Sequence, residues 1–466
     1  MYTFSGKLKT FSIALIILGI IGMAYGFLTV PKDTHKIEEI LNARHDGHAS
    51  SLTETGDVNF ESHDTHATDS HDADEHKVDS HKAEGHDAHA SKDSHQSHLE
   101  HVLHQYQNKP WSAFFIAAFF FFMIALLTLV FLAIQWAAQA GWSIVIFRVM
   151  EAITAFLLPA SFFLLLFLVL STLDFNHLFV WMSHDAASDP VLVEKAPWLN
   201  KTGFLIRSFI FVTGWNIFRF FIRRNSIALD KAGELKIYKR NFNIAVGFLG
   251  FFIVTELFFV FDLTMSLDPH WYSQLYPFYV FASMIVTAIT TVLIMTVYLK
   301  SKGFLPNVNQ SHIHDLGKFM FGFSIFWAYF FFDQFMLQWY SNIPEDSVYW
   351  IPRLLGSYQI LFILMLVFSF VLPFLLLIGS DFKKVSGIIV GAGLLIIIGH
   401  YIDIFMLISP ATVGDSWSFG IPEISSFIFF LGLFIFVVFN ALTKAPLQAK
   451  GNPFMKESEH FHYYNL

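Results

Sequence analysis

The segment 254-VTELFFVFDLTMSLDPHWYSQLYP-277 begins as an apolar run of membrane grade and holds two carboxylates, Glu256 and Asp262. It then breaks into a short polar loop carrying Asp268, Pro269, His270, Trp271 and Tyr272. An ionised Asp near the middle of a spanning helix costs roughly 2.5 to 3.5 kcal/mol on insertion scales, so two acids in one such run mark a site for protons or a polar ligand. The competing account is that both acids are neutral, or pair with an arginine on a neighbouring helix and serve packing. On either account this is a membrane helix with a polar mouth.

The rest of the chain fits that setting. Of 466 residues, 55% are hydrophobic, 14% are charged and 57 are Phe, with a mean hydropathy of +0.52. That composition belongs to an all-α polytopic membrane protein in contact with lipid, not to a soluble domain. Much of the acid behind the net charge of -8 sits in one hydrophilic segment, and nucleic acid is not an expected partner. The chain has no cysteine, which excludes an iron-sulfur cluster, a c-type haem attached through C-x-x-C-H and a disulfide framework. His400 is the only histidine well inside an apolar run, and bis-histidine haem ligation needs two at matching depth. Any redox centres of an electron-transfer function therefore lie on other chains.

Residues 1–30 read as a first spanning helix, with an apolar run from Phe11 to Val30 behind Lys7 and Lys9. The run is too long for a signal-peptide core and lacks a convincing cleavage site. Residues 31–110 are rich in His, Asp, Ser, Ala and Lys and hold 14 of the 22 histidines. These include a five-residue beat at His71, His76, His81 and His86 and a three-residue beat at His95, His98, His101 and His104. Such a segment cannot bury enough apolar surface to fold alone, so a disordered loop or one ordered by a partner is expected. If the last four histidines share a helix face leading into the membrane, weak zinc or copper binding is conceivable; the plainer reading is a solvated insertion.

Further apolar runs at 111–135, 144–170, 203–222, 243–265, 276–299, 317–340, 357–378, 385–408 and 422–442 bring the expected spans to ten. Fifteen basic residues fall in the short connections on the side of the termini and three, Lys195, Lys201 and Arg353, on the other. This bias predicts cytoplasmic termini and places the His-rich loop outside, in the periplasm of a Gram-negative cell. Glu256 then lies near the midplane, with Asp262, Asp333, Gln334, Gln338, His400 and Asp403 in the outer half. His400 and Asp403, three apart, share a helix face. Arg148 and Glu151, also three apart, lie nearer the cytoplasm, where they neutralise each other or form the inner mouth of a proton path. Arg207 has no local acid and is expected to reach Glu256 or Asp262, whereas Arg219 is expected to snorkel to the interface.

Two stretches, 265-MSLDPHWYSQLYP-277 and 332-FDQFMLQWYSNIPEDSVYW-350, each follow a helix running in the same sense. They resemble the membrane subunit ActF of alternative complex III, a bacterial quinol:cytochrome c oxidoreductase, within the NrfD and polysulfide-reductase membrane subunits. The likeness runs from Trp111 to the C-terminus and leaves out the His-rich insertion. It implies two four-helix bundles, at 111–265 and 266–408, with one flanking helix at each end, the last in 409–466 with a cytoplasmic tail. It also implies a bacterial inner-membrane location and partners: a multihaem cytochrome c, an iron-sulfur subunit, an NrfD-like sibling and a terminal oxidase. The implied role is that of a cofactor-free subunit that supports quinol oxidation, proton transfer and assembly and is not catalytic alone.

Quinol oxidation releases two protons with two electrons, so it needs a base near the hydroxyl and a polar exit. Asp262, Asp268, His270 and Trp271 are the candidates for binding quinone or menaquinone. Arg148, Glu151, Arg207, Glu256, Asp262, Asp333, His400 and Asp403 are the candidates for proton transfer. The alternative is a proton-coupled metal transporter whose His-rich loop captures zinc; no metal ligand set is evident in the spans.

Overall fold

The computed structural model describes residues 2–39, 42 and 87–463. Among these residues there is no strand, and ten helices are long and apolar enough to cross a membrane. They are α1 (Gly6–Leu28), α2 (Asp87–Ala137), α3 (Gly141–Thr172), α4 (Lys201–Ala232) and α5 (Leu235–Leu263), then α6 (Tyr276–Ser301), α7 (Gln310–Ser341), α8 (Gln359–Leu377), α9 (Ser386–Thr412) and α10 (Ile421–Leu442). The protein is an all-α polytopic membrane protein. Its chain forms two compact units, one of residues 1–29 with 108–466 and the other of residues 30–107.

Within the smaller unit, Ile37, Leu99 and Val102 form an apolar cluster joined by Leu103 and Tyr106. Positions 99, 102, 103 and 106 follow helical spacing, and they make part of the expected loop a helix continuous with the span that sequence starts at 111. The last four histidines of the segment sit on that helix. His71, His76, His81 and His86 lie outside the described residues.

The larger unit is built around α2. From Phe115 to Ala133 this helix is buried on every side, the state in which an all-round apolar helix is stable. Phe115 stacks on Phe167 of α3 at 4.8 Å, and Phe122 meets Trp215 of α4 and Phe259 of α5. Phe131 meets Phe319 of α7, Phe120 meets Tyr401 of α9, and Phe121 meets Phe430 of α10. Around this pillar α3, α4 and α5 pack in succession, as do α6 and α7, while α9 packs against α6 and α8.

Among the described residues, α1 packs along α10 over much of its length. Gly19, Gly22 and Gly26 let the backbones approach so far that a Cβ on Gly19 would meet Phe429 Cβ at 2.6 Å and one on Gly22 would meet Ser425 Cβ at 2.5 Å. Small residues in register are how helices associate where lipid supplies no hydrophobic drive. Prolines shape two other helices. Pro373 has no N–H for the Ser369 carbonyl, and α8 widens into a π-turn at Val367–Val371, against which Gly399 of α9 fits. Pro410 likewise leaves the Met406 carbonyl of α9 without its helical donor.

The connections collect at two ends. At the terminus-bearing end Tyr2 packs on Phe304 and Phe439, Asn307 bonds Glu459, and Asn309 donates to the Phe461 carbonyl. At the opposite end Asn108 donates to the carbonyls of His177 and Thr412, and Lys195 to that of Pro269. Segments 173–200, 264–275, 342–358 and 413–420 meet here.

Candidate functional site

The polar residues of α5 and its following loop surround two chambers at the opposite end. The outer one, about 350 Å³, is lined by Trp198, Phe258, Phe261, Asp262, Met265 and Trp271, with Glu194 and Lys195 at its edge. Apolar walls with a few directed polar groups at that volume are what a small-molecule site requires. Asp262 is fixed there by Arg207, whose Nε donates to Oδ2 at 2.7 Å and whose Nη2 donates to Oδ1 at 3.1 Å. Trp198 Nε1 donates to the same Oδ1 at 2.8 Å, and the guanidinium lies 4.1 Å from the Trp198 ring centre. Arg207 thus reaches Asp262, as one of the two expectations had it, and not Glu256. A carboxylate offers about four acceptor directions; three are taken here, and one is left for a ligand.

The inner chamber, about 130 Å³, shares Trp271 with the outer one and adds Thr264, Asp268, Tyr276, Tyr349 and Arg353. Trp271 is buried and stacked on Tyr349 at 4.0 Å with a 14° tilt, and its indole N–H has no partner among the described residues. Burial pushes the Tyr349 hydroxyl above its ordinary pKa, so it stays protonated. Arg353 is 5% exposed and faces the Tyr349 ring at 3.5 Å. Its Nε and Nη2 donate to the Met406 carbonyl at 3.2 and 2.9 Å, supplying the donor that Pro410 cannot, and its Nη1 donates to the Tyr349 carbonyl. Among the described residues no carboxylate lies within ion-pairing distance of Arg353.

A crevice that also touches Arg353 leads on through Tyr279 and Gln334 to Asp403. Asp403 and His400 are fully buried. Asp403 accepts from Tyr279, from Ser283 at 2.7 Å and from Trp327 Nε1 at 3.0 Å. Ser283 Oγ also lies 3.0 Å from His400 Nδ1. His400 Nε2 has no partner among the described residues. His400 and Asp403, expected on one helix face, both contact Ser283 Oγ, and the direct distance between them is 3.5 Å.

The other candidates stand apart. His270 is exposed and bonds Asp189 at 2.6 Å, lining neither chamber. That hydrogen bond, with help from the Val191 N–H, holds the Asp189 carboxyl below its usual range. Glu256 is buried in α5 with Oε1 lacking a partner among the described residues, and Asp333 is half-buried outside these clusters. Near the terminus-bearing end Arg148 and Glu151 do pair, within a larger network: Glu151 accepts from Arg148, Arg223 and Ser226, and Arg148 also pairs with Asp230. Asp230 accepts the Gly451 N–H at 3.1 Å, tying the tail to this network.

Sequence reasoning missed Arg223 and Asp230 as partners of the inner pair, and Trp198, Tyr279, Ser283, Trp327 and Arg353 at the opposite end. Arg353 alone carried a readable signal, a lone arginine in the poorly charged connections of that side. Among the described residues no three His, Asp or Glu side chains are grouped to hold a metal ion. No family model matches the chain, and no curated protein matches it in sequence.

Proposed function

We propose that this chain is the cofactor-free membrane subunit of a respiratory quinol:cytochrome c oxidoreductase of the alternative complex III kind. Its termini are cytoplasmic and its chambers open toward the periplasm. Its partners are a multihaem cytochrome c, an iron-sulfur protein and an NrfD-like sibling in the bacterial inner membrane, with a terminal oxidase downstream.

The observation that carries the reading is the outer chamber, an apolar slot of ring-binding size with the Arg207-clamped Asp262 in its wall. The clamped carboxylate can accept a hydrogen bond from a quinol hydroxyl and orient the ring between Trp271 and Phe258. Behind it, Asp403, Ser283 and His400 supply groups that can hold and pass a proton.

Gentle detergent purification through a C-terminal tag, followed by visible absorption and mass spectrometry, tests the assembly. Haem bands with multihaem and iron-sulfur partners are expected; a colourless, solitary protein that binds zinc overturns the reading in favour of a metal transporter. In the assembled complex, Asp262→Asn lowers quinol-dependent turnover while assembly persists. Unchanged turnover removes Asp262 from the site.

A further inference from the structure

The inner chamber holds three groups whose hydrogen-bonding capacity is unused. Arg353 is a buried cation without a carboxylate partner among the described residues, although three of its donors serve carbonyls. Trp271 has a buried N–H with no partner there. The Asp268 carboxylate, half-buried on the same wall, makes no hydrogen bond to any described residue. Buried cations and N–H groups are costly to leave unmatched. Donors and an acceptor around one cavity of about 130 Å³ specify a ligand that both accepts and donates through oxygen. A hydroxyl on a planar ring does both, and Trp271, Tyr276 and Tyr349 give the chamber an aromatic wall.

We propose that the chamber between Asp268 and Arg353 is a second docking position for a hydroxylated planar ring, reached past Trp271 from the outer chamber. The proposal rests on the quinol reading and names that ring as the quinol head group. Here one ring O–H bond breaks, its proton goes to the Asp268 carboxylate, and the electron pair stays on the ring oxygen. Arg353 and the Trp271 N–H face that oxygen. Asp268, at the half-buried edge of the loop, can then release the proton to water.

The test uses the purified full-length chain in detergent, under anaerobic conditions, with the tail-less naphthoquinol menadiol and its dimethyl ether as probes, binding being followed by microscale thermophoresis. Wild type is expected to prefer menadiol over the ether by about tenfold, the ether lacking the proton that Asp268 takes. In an Asp262→Asn background, which removes the outer chamber's own preference for a hydroxyl, adding Asp268→Asn is expected to abolish the preference that remains; Arg353→Lys is expected to weaken menadiol binding about tenfold. Because Arg353 also holds the Met406 carbonyl, its variant can fail to fold; Asp268→Asn, which breaks no hydrogen bond, keeps the question answerable.

A preference left unchanged when Asp268→Asn is added to Asp262→Asn overturns the inner position and leaves the outer chamber standing. Equal binding of the ether by wild type overturns it too. No menadiol binding by wild type removes the quinol reading itself, and the inner position with it.

Discussion

Arg353 donates twice to the carbonyl of Met406, the acceptor in α9 that Pro410 leaves without a helical N–H. A residue in the connection before α8 thereby replaces a missing rung in the helix that carries His400 and Asp403. The two positions are energetically coupled. Arg353→Ala should cost about 2 kcal/mol by leaving a buried carbonyl unmatched. In a Pro410→Ala background, where the helix can supply its own donor, the cost should fall by about 1 kcal/mol. Thermal unfolding of the two single variants and the double variant measures the coupling, and additive effects would refute it.

Arg207 and Asp262 form a clamp in which Asp262 is 1% and Arg207 17% exposed at the side chain. Removing one partner strands the other, so Asp262→Ala should lower stability by about 3 kcal/mol. Replacing both with Leu should cost clearly less than the sum of the two single changes, because neither charge is then left alone. A double-mutant cycle by chemical denaturation in mixed micelles reads this directly.

The contact of α1 with α10 tolerates no added bulk at Gly19, where even a Cβ would lie 2.6 Å from that of Phe429. Gly19→Leu should cost about 2 kcal/mol or more through overpacking. Gly6, with nothing within 4 Å of its would-be Cβ, is the control, and Gly6→Ala should leave the unfolding temperature unchanged.

The exposed Asp189 and His270 pair sets a pH dependence whose sign follows from the depressed Asp189 carboxyl. A carboxylate held low stabilises the fold above its ordinary pKa of about 3.9 and loses that contribution as pH falls through the folded value. Segment 264–275 should therefore keep its hydrogen-exchange protection, corrected for intrinsic rates, from neutral pH down to about 4 and lose it only below. In His270→Ala the protection should already be reduced at neutral pH, and the loss on acidification should be smaller. The same profile in both proteins would count against the pair as an anchor.

The ten spans were legible because twenty-residue apolar runs have one common outcome in lipid. Arg207 was legible as an unpaired charge seeking an acid, because insertion cost restricts where such a residue can sit. The centrality of α2 was not, since a helix surrounded by helices and one surrounded by lipid present the same hydropathy. Nor was the helix at 87–110, whose apolar positions are four residues thinly spaced among polar ones. The inner chamber escaped sequence reading because it joins residues from two connections and two helices, spread along the chain from Thr264 to Ala411. Only the folded chain shows that Asp268 and Arg353 line one space.

The glycine face of α1 finds its partner in α10, roughly four hundred residues further along the chain. During synthesis α1 therefore enters the bilayer with this surface uncovered, and the eight spans that follow it among the described residues precede its partner. Contacts between the two extremes of a chain form late and slowly. A product that stops short of residue 421 would keep that surface open to any other helix with small residues in register.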